Sequence, residues 1–357
     1  MKINKNNLLI IAFQPYDNNM YPPLKIFIDL MGKQINTKYF LFHERGYSFE
    51  HIKYLQKISL WLSIIKDIYK LIILLIKNNF YRIIVVDHFA FAILSFLTKY
   101  SKIIFWSHDI ISYDKKYYKN FIIKCVLARN KKIIKKGALL IIQDEDRKII
   151  LEKTLKVNIK REQVFYMPIF LEDVNENRTH KINSSIPVLM QCGGCGSYRF
   201  TDKLINQYQQ DDNYSLYLHG FIFDEIKTQL SVVKKQPFIS DMRIDPTYIY
   251  TITKKCDIGF VGYTDIEQNF KFIAKSSGQL VEFLKMGKPV ISIGENNIGM
   301  FLEENKAGIE IKLFSMLSEA ITIITKEYEA YSKNALSCFY KYFDSKLYIS
   351  KLLEFIK

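Results

Sequence analysis

Short aliphatic runs along the chain alternate with longer stretches in which apolar residues recur every three or four positions. The short runs predict buried strands, and the longer stretches predict amphipathic helices. Strands that alternate with helices in this way are typical of parallel sheets with helices on both faces. The predicted strands are residues 8–13, 39–42, 82–86, 103–106, 138–142, 164–169, 187–191, 216–218, 257–261, 290–293 and 308–311. The predicted helices are one that starts at Pro22 and Pro23, and residues 51–77, 89–99, 117–136, 202–209, 247–253, 315–331 and 342–356.

The length of the chain indicates two domains. Its 357 residues exceed what one hydrophobic core normally serves, and 49% of them are hydrophobic, which is enough for two cores. Residues 173–185 are polar and rich in asparagine, a composition typical of a linker. We therefore predict a first α/β domain at residues 1–172, a second at residues 186–335, and a terminal helical segment at residues 336–357.

The stretch of residues 276–293 carries the strongest local pattern in the chain. Ser276, Ser277 and Gly278 are residue types that cap helix N-termini, and apolar residues follow them at helical spacing. Gly287 suits the first position beyond a helix, where a left-handed backbone costs glycine nothing. The stretch predicts a short helix, a tight turn and a buried strand.

The predicted helix also offers a binding site. Free backbone N–H groups at a helix N-terminus attract anions such as a diphosphate, and Ser276 to Gln279 form that terminus here. Glu282, on the first turns of the same helix, would place a carboxylate beside a sugar hydroxyl. The structural alternative is an ordinary helix–strand turn, in which Gly287 and Pro289 serve only the turn.

A glycine-rich loop follows the predicted strand 187–191. Gly193 and Gly194 would let the backbone approach a phosphate closely. Arg199 would clamp a diphosphate, and Lys203, one turn further on, would add positive charge. The cysteines that flank the two glycines lack the second pair or the histidines of a zinc site, and their surroundings do not match a redox motif.

The stretch of residues 276–293 resembles the nucleotide-sugar-binding segment of GT-B glycosyltransferases, whose second domains carry a pattern like small-small-Gly-x-Leu-x-Glu-apolar-Leu-x-x-Gly-x-Pro-Val-Ile. The resemblance implies two Rossmann-like, doubly wound α/β domains that face a cleft, with residues 336–357 packing back on the first domain. It also implies that Glu282 hydrogen-bonds the ribose of a nucleotide-sugar and that residues 276–279 cradle its diphosphate. A UDP-sugar is the favoured donor, and no further cofactor is expected. Retaining members carry an E-x7-E motif, but Ala274 stands at the first position here, so the stereochemistry stays open.

The first domain contains the candidate catalytic residues. The carboxyl ends of strands line the ligand crevice in open α/β sheets, and His108 and Asp109 follow the predicted strand 103–106. This segment resembles the histidine-bearing loop of GT-B first domains, although a half-buried structural histidine fits the pattern equally well. Asp17 follows the predicted strand 8–13, where a loop or capping role competes with a catalytic one. An inverting enzyme would take its general base from these three residues.

The acidic triplet Asp144-Glu145-Asp146 resembles the D-x-D metal motif of GT-A glycosyltransferases. These acids also stand in the first turn of a helix, where negative charge offsets the helix dipole. We favour the second explanation and predict no metal site.

The chain has a net charge of +15, which predicts an acidic partner. From Lys115 to Lys136 there are nine basic residues and no acidic one, interleaved with apolar residues. This pattern predicts a basic amphipathic helix that meets an anionic membrane surface. A surface helix whose apolar face meets the sheet is the simpler alternative. The nine residues are Lys115, Lys116, Lys119, Lys124, Arg129, Lys131, Lys132, Lys135 and Lys136.

Three functions fit these patterns to different degrees. A basic nucleic-acid-binding protein would explain the charge, but no nucleic-acid motif appears and no such partner is expected. A transferase-like subunit that binds nucleotide without turnover would share the site. We predict a metal-independent glycosyltransferase of the bacterial surface-polysaccharide type, with a glycan or an undecaprenyl-diphosphate-linked acceptor. Five cysteines and the lack of a signal peptide or long apolar span predict a cytoplasmic enzyme, peripheral at the inner face of the cell membrane.

Overall fold

The computed structural model describes residues 7–12, 22–41, 54–111, 121–174, 178, 180–182, 185–242, 244–265 and 268–357. The candidate residue Asp17 and the first part of the basic run, Lys115, Lys116 and Lys119, lie outside these ranges. The chain divides into two compact units, Met1–Met167 with Tyr348–Lys357, and Pro168–Leu347.

The first unit is built on a parallel sheet. Its described strands are β1 (Asn7–Ala12), β2 (Asn36–Leu41), β3 (Arg82–Val86), β4 (Ile103–Trp106), β5 (Leu139–Ile142) and β6 (Val164–Tyr166). Its helices between them are α1 (Pro22–Gln34), α2 (Tyr54–Lys77), α3 (His88–Leu97), α4 (Phe121–Lys135) and α5 (Glu145–Leu155). The strand order is β2-β1-β3-β4-β5-β6, with every pairing parallel.

The core of this unit follows from the aliphatic runs. Consecutive residues of β1, β3 and β4 are buried, although neighbouring side chains in a strand point to opposite faces of the sheet. Both faces are therefore covered, which is why the strands read as continuous apolar runs. Their carboxyl ends lie at one edge of the sheet, and His88 and His108 follow β3 and β4 at that edge.

The second unit repeats this architecture. Its described strands are β7 (Val188–Cys192), β8 (Ser215–His219), β9 (Phe238–Ser240), β10 (Ile258–Gly262), β11 (Val290–Ile293) and β12 (Gly308–Ile311). Its helices are α6 (Thr201–Tyr208), α7 (Asp224–Leu230), α8 (Tyr250–Thr253), α9 (Gln268–Lys271), α10 (Gly278–Lys285), α11 (Ile298–Glu304), α12 (Leu317–Lys326) and α13 (Tyr328–Tyr342). The order β12-β11-β10-β7-β8-β9 places the change of winding direction between β7 and β10. Ligands of open α/β sheets bind outside the carboxyl ends of the strands at such a switch point.

The last helix, α14 (Ile349–Phe355), belongs to the first unit. The ring of Phe355 lies 5.4 Å from the ring of Phe165. The carbonyl oxygen of Ile356 accepts a hydrogen bond of 2.7 Å from the Nε atom of Arg82. The end of the chain is therefore tied to β6 and to the start of β3.

The predicted helix at residues 342–356 is shorter in the structure: Tyr342 is the last residue of α13, and α14 covers only Ile349–Phe355. Helix α13 ends at Tyr342 because the chain then pairs with Leu171, whose N–H donates to the carbonyl oxygen of Phe343 at 3.0 Å. The N–H of Ser345 in turn donates to the carbonyl oxygen of Leu171 at 3.0 Å. The prediction was wrong here because helical periodicity carries no information about hydrogen bonds to a distant segment.

The local prediction for residues 276–293 is confirmed. Ser277 caps α10, since its Oγ atom accepts a hydrogen bond from the N–H of Leu280. Gly287 has a φ angle of +64°, the left-handed conformation expected just beyond a helix. The strand β11 follows, and all four of its residues are buried.

Candidate functional site

The glycine-rich loop lies at the switch point of the second unit, directly after β7. The N–H of Gly193 donates to the carbonyl oxygen of His219 at 2.8 Å, which ties the loop to the end of β8. Gly193 has a φ angle of +100°, and a Cβ atom there would stand 2.6 Å from the Nε2 atom of Gln279 and 3.5 Å from an Nη atom of Arg199. The backbone conformation of Gly193 therefore favours glycine, and its lack of a side chain lets Arg199 and Gln279 approach the loop closely.

Arg199 is held between aromatic rings. The central carbon of its guanidinium lies 4.8 Å from the ring centre of Tyr263 and 5.4 Å from that of Tyr198. Its carbonyl oxygen accepts a 3.0 Å hydrogen bond from Gln191, which fixes the backbone at this point. The Nε atom and one Nη atom are buried and have no hydrogen-bond partner among the described residues. A planar cation with unpaired N–H groups is suited to bind an anion.

The N-terminus of α10 carries further unpaired polar groups. Both polar side-chain atoms of Gln279 are buried and have no partner within the described part of the chain, and the same holds for the hydroxyl of Ser276. Ser277 is engaged with Leu280 and lies 3.1 Å from the hydroxyl of Tyr263. Gly278 has no atom within 4 Å of the position of an added Cβ, so its surface is open. This end of the helix therefore combines free donors with room for a ligand.

Glu282 is buried in the same helix and forms an ion pair with Lys285, at 2.8 Å between carboxylate oxygen and Nζ. Burial raises the pKa of Glu282, and the ammonium group of Lys285 opposes that rise. The charge of Glu282 is also felt at Cys192, at the end of β7, where burial is the first cause of a raised thiol pKa. Glu282 therefore has a cation beside it that the sequence analysis missed, and its contact with a ribose stays a prediction.

The other candidate residues of the second unit have different neighbours. Gly194 faces the hydroxyl of Tyr198, 2.5 Å from the position of an added Cβ. Lys203 is exposed and its Nζ lies 5.2 Å from the ring centre of Phe200. Lys203 also lines a cavity of about 890 Å³ beyond the carboxyl ends of β10, β11 and β12. Ala274, at the first position of the E-x7-E motif, is buried, and its N–H donates to Asn297 at 2.9 Å.

In the first unit, His108 is buried at the carboxyl end of β4. The Nε2 atom of Gln143 lies 3.3 Å from its Nδ1 atom and 3.0 Å from its carbonyl oxygen, and Arg147 donates to the same carbonyl at 2.8 Å. Burial lowers the pKa of His108 to about 4; the carboxylate of Asp109 opposes this shift and Arg147 adds to it. Asp109 itself is exposed. His108 is therefore a neutral, firmly held imidazole at pH 7.

The acidic triplet has structural partners. Asp144 is the N-cap of α5 and accepts a 2.9 Å hydrogen bond from the N–H of Arg147. Glu145 accepts hydrogen bonds from the hydroxyl of Tyr166 and from Lys148. The capping interpretation is confirmed for Asp144, and no group of three potential metal ligands occurs among the described residues.

Comparison with known proteins identifies the architecture. No protein-family model and no curated protein sequence matches the chain. Among solved structures, Anabaena HepE in complex with UDP is 15% identical, with a TM-score of 0.69 over 98% of both chains. Sucrose-phosphate synthase from Thermosynechococcus elongatus is 11% identical, with a TM-score of 0.68 over 98% of both chains. WaaG, a glycosyltransferase involved in lipopolysaccharide biosynthesis, is 11% identical, with a TM-score of 0.63 over 98% of this chain and 99% of that one.

This chain has the GT-B fold. The predicted fold class, two Rossmann-like α/β domains of the GT-B type, is confirmed. At 11–15% identity the likeness concerns the fold, so the roles of the candidate residues stay predictions.

Five side chains of this GT-B chain that the sequence analysis did not single out shape the candidate sites. Tyr263 follows the carboxyl end of β10 and Gln143 follows that of β5, so strand ends would have pointed to both. Arg147 stands four residues after Gln143, in the helix whose acidic first turn the sequence analysis explained by the helix dipole. The charge of Lys285 at position i+3 from Glu282 was a local signal for a helical ion pair. Tyr198 had no signal beyond its place in the glycine-rich loop.

Proposed function

We propose that this GT-B chain is a glycosyltransferase that moves a sugar from a nucleotide-sugar, with a UDP-sugar favoured, to a glycan acceptor. The observation that carries the proposal is a set of buried polar groups that lack partners among the described residues. They belong to Arg199 and Gln279, which meet at Gly193, and to Ser276, just before the N-terminus of α10. Such groups cost free energy while unpaired, and a diphosphate offers acceptors for both the guanidinium and the helix N–H groups.

The solved structures with this fold support the donor class. HepE was crystallised with UDP, with UDP-glucose, and with UDP and glucose. WaaG acts in lipopolysaccharide biosynthesis, and this supports the proposal that the present chain builds a cell-surface polysaccharide. All three structures described above span nearly the whole of this chain, and the alternative of a nucleic-acid-binding protein has no such support.

The chemistry would be electrostatic. As the bond between sugar and phosphate breaks, negative charge develops on the departing diphosphate, and Arg199 with the N-terminus of α10 would stabilise it. The proposal includes metal independence, because Asp144 and Glu145 are engaged by the helix cap and by Tyr166. Retention of activity in EDTA would support this part, and a loss restored by manganese or magnesium would contradict it.

The proposal also includes peripheral attachment to the inner face of the membrane, with a lipid-diphosphate-linked acceptor. None of the described helices is long and apolar enough to cross a bilayer. Phe121 and Ile122 at the start of α4 are 77% and 42% exposed, beside exposed Lys124. Three more exposed lysines follow near the end of the helix, and each would contribute about 1 kcal/mol near an anionic surface. These are Lys132, Lys135 and Lys136.

One basic residue of α4 is engaged by the protein itself, so the proposal does not assign it to lipid. Arg129 is turned toward α3, where it donates to the hydroxyl and the carbonyl oxygen of Ser95 and lies 3.8 Å from the ring centre of Phe96. Vesicle flotation with phosphatidylglycerol should capture the protein at low salt and release it at high salt. Substitution of Lys132, Lys135 and Lys136 by glutamine should weaken capture, and Arg129→Gln should have a smaller effect. Equal binding to neutral and anionic vesicles would contradict the attachment.

Calorimetric titration with UDP, GDP, dTDP and CMP tests the donor site, followed by transfer assays with the corresponding sugars. Selective binding of UDP would support the proposed donor. Tight binding without hydrolysis or transfer would favour a nucleotide-binding subunit instead. Salt-dependent RNA or DNA binding without any nucleotide binding would contradict the proposal.

A further inference from the structure

A groove in the first unit runs between helices α2 and α3. Its volume is about 460 Å³, within the range of pockets that hold small ligands. The apolar side chains along it include Ile72, Leu75 and Ile76 of α2 and Phe96 and Leu97 of α3. Ile76 and Phe96, one on each helix, are 78% and 71% exposed. The groove therefore presents hydrocarbon surface to the solvent.

One end of the groove is polar. Asn78, Asn79, Thr98 and Lys102 also line it, in the segments that join α2 to β3 and α3 to β4. The Nζ atom of Lys102 donates to the Oδ1 atom of Asn79 at 3.3 Å and to the carbonyl oxygen of Phe80 at 3.1 Å. An ammonium group carries three hydrogens, so one of them has no acceptor among the described residues. Apolar walls that lead to such a cation suit an amphiphile with an anionic head group.

The stretch of chain that forms the groove is basic. From Ile68 to His108 it contains five basic residues and one acidic residue, Asp87. Asp87 caps the N-terminus of α3, at the far end of that helix from Thr98. The charge of this stretch therefore favours an anionic ligand. The basic residues are Lys70, Lys77, Arg82, Lys99 and Lys102.

The groove is continuous with the basic helix α4. The ring of Phe96, which lines the groove, lies 3.8 Å from the guanidinium of Arg129. Nearby, the Nζ atom of Lys136 lies 5.8 Å from the ring centre of Tyr100, which is also exposed. Exposed aromatic rings beside basic side chains are typical of protein surfaces that lie at a membrane interface.

We propose that this groove binds one acyl chain of an anionic phospholipid, with the phosphate of the head group at Lys102 and at the exposed Lys77 and Lys99. An extended hydrocarbon chain suits a volume of this size, whereas a helix of a protein partner is about 10–12 Å across with its side chains. The inference deepens the proposed membrane attachment and rests on that part of the proposed function for its biological setting.

The lipid site is distinct from the candidate catalytic residues of the first unit. Asn78 and Asn79 precede β3, and Thr98 precedes β4, so the polar end of the groove lies at the amino-terminal edge of the sheet. His108 and Asp109 follow β4, at the carboxyl edge. A lipid in the groove would therefore anchor the unit without contacting these two residues.

Photolabelling with a monomeric lipid tests the site in the absence of a membrane. The probe is dihexanoyl-phosphatidylglycerol with a diazirine in one chain, used below its critical micelle concentration, and peptide mass spectrometry locates the label. We expect label at residues 72–80 and 96–98. Unlabelled dihexanoyl-phosphatidylglycerol should compete at lower concentration than dihexanoyl-phosphatidylcholine. Label that is spread over the whole surface, or confined to α4, overturns the inference.

Ile76→Ser/Phe96→Ser removes two exposed apolar side chains from the groove and should weaken binding of the probe about tenfold. Val232→Ser/Ile323→Ser is the matched control, because it removes two exposed apolar side chains from the second unit. The control should bind the probe as the wild-type protein does. Equal losses in the two double variants contradict a specific site.

Thr98→Trp distinguishes a groove from a flat apolar surface. The indole ring would fill the polar end of the groove, so both labelling and binding should decrease. On a flat surface the added aromatic ring would instead strengthen contact with lipid. Tighter binding of the probe by Thr98→Trp than by the wild-type protein therefore contradicts the inference.

Vesicle flotation separates this inference from the proposed attachment through α4. Label in the groove, without capture by phosphatidylglycerol vesicles, would support the lipid site and contradict the attachment. Capture by these vesicles at low salt, without label in the groove, would support the attachment and contradict the lipid site. Binding of UDP is measured separately and does not enter either comparison.

Discussion

Two arginines, one in each unit, stand near the carboxyl ends of parallel strands in opposite surroundings. Arg147 is 1% exposed, and its guanidinium donates to the side chain of Gln143 and to the carbonyl oxygen of His108. Arg199 lies against the rings of Tyr198 and Tyr263, and its buried Nε and one Nη atom have no partner among the described residues. The guanidinium of Arg147 has hydrogen-bond acceptors within its own unit, whereas two nitrogen atoms of the Arg199 guanidinium have none among the described residues.

This difference separates a structural charge from a functional one. A buried polar group with its partners in place stabilises the native state, whereas an unpaired one costs about 1–3 kcal/mol. Proteins keep such unpaired groups at binding sites, where the ligand supplies the missing hydrogen-bond partner. Binding is then gained at the expense of stability in the free protein. The comparison predicts that loss of Arg147 affects folding, and that loss of Arg199 affects binding.

Lys285→Met removes a third buried charge, and we expect it to lower the free energy of unfolding more than any other variant considered below. Removal of one partner of a buried ion pair destabilises by about 3 kcal/mol, because Glu282 is left without compensation. Burial already raises the pKa of Glu282 above the ordinary 4.5, and loss of Lys285 would raise it further. The native variant would then hold a proton that the unfolded chain releases, so its stability should fall as the pH rises above 4.5.

Guanidinium unfolding of Lys285→Met at two pH values, one near 5 and one near 8, measures this effect. The double variant Glu282→Gln/Lys285→Met should recover much of the loss, since no charge remains buried. A loss in Lys285→Met that does not vary with pH would show that packing, and not the charge of Glu282, was disturbed.

Arg147→Met should lower the free energy of unfolding by about 2 kcal/mol, because the amide oxygen of Gln143 loses its Arg147 donor and the carbonyl oxygen of His108 keeps only the donor from Gln143. Equilibrium unfolding monitored by circular dichroism measures the change. Arg161→Met, at an exposed position just before β6, is the control and should change stability by less than about 0.5 kcal/mol. Equal losses of stability in Arg147→Met and Arg161→Met would contradict the structural role of Arg147, and with it the contrast to Arg199.

Arg199→Met should weaken UDP binding at least about tenfold, since hydrogen bonds to a charged group contribute about 1.5–3 kcal/mol. The free energy of unfolding should stay unchanged or increase, because an unpaired cation is removed from a partly buried position. Calorimetric titration and thermal unfolding of the same sample check both statements. Lys203→Met is the control, with a smaller loss of affinity expected from an exposed side chain.

Gly193→Ala should have the smallest effect, a destabilisation of about 1 kcal/mol. Its φ angle of +100° disfavours alanine, and the new methyl group would stand 2.6 Å from Gln279. Gly32→Ala is the matched control, because nothing lies within 4 Å of that position in α1. Alanine there should stabilise the helix by up to about 1 kcal/mol. Thermal unfolding of both variants gives the comparison, and equal shifts would contradict the special geometry of Gly193.

The sheet strands could be predicted from the sequence because their cause is local. Runs such as those of β3, β4 and β11 are buried on both faces, so aliphatic residues occur at every position. The edge strand β9 was missed, since it has only three residues and none of them is buried. Helix ends were predicted well where a cap exists, as at Ser277 and Gly287, and poorly near Phe343, where a distant backbone segment ends the helix.

The sequence by itself determined the fold class, the helix and turn of residues 276–293, and the glycine-rich loop, because each depends on residues close together in the chain. Only the tertiary structure decided which buried groups are paired. Gln143 lies 35 residues from His108, and their contact depends on β4 and β5 being neighbours in the sheet. Arg199 and Gln279 come together at Gly193 because β7 and β10 are adjacent. Hydrogen bonds depend on distance in space. The sequence can therefore indicate which polar side chains are candidates, but it cannot show which atoms they are bonded to.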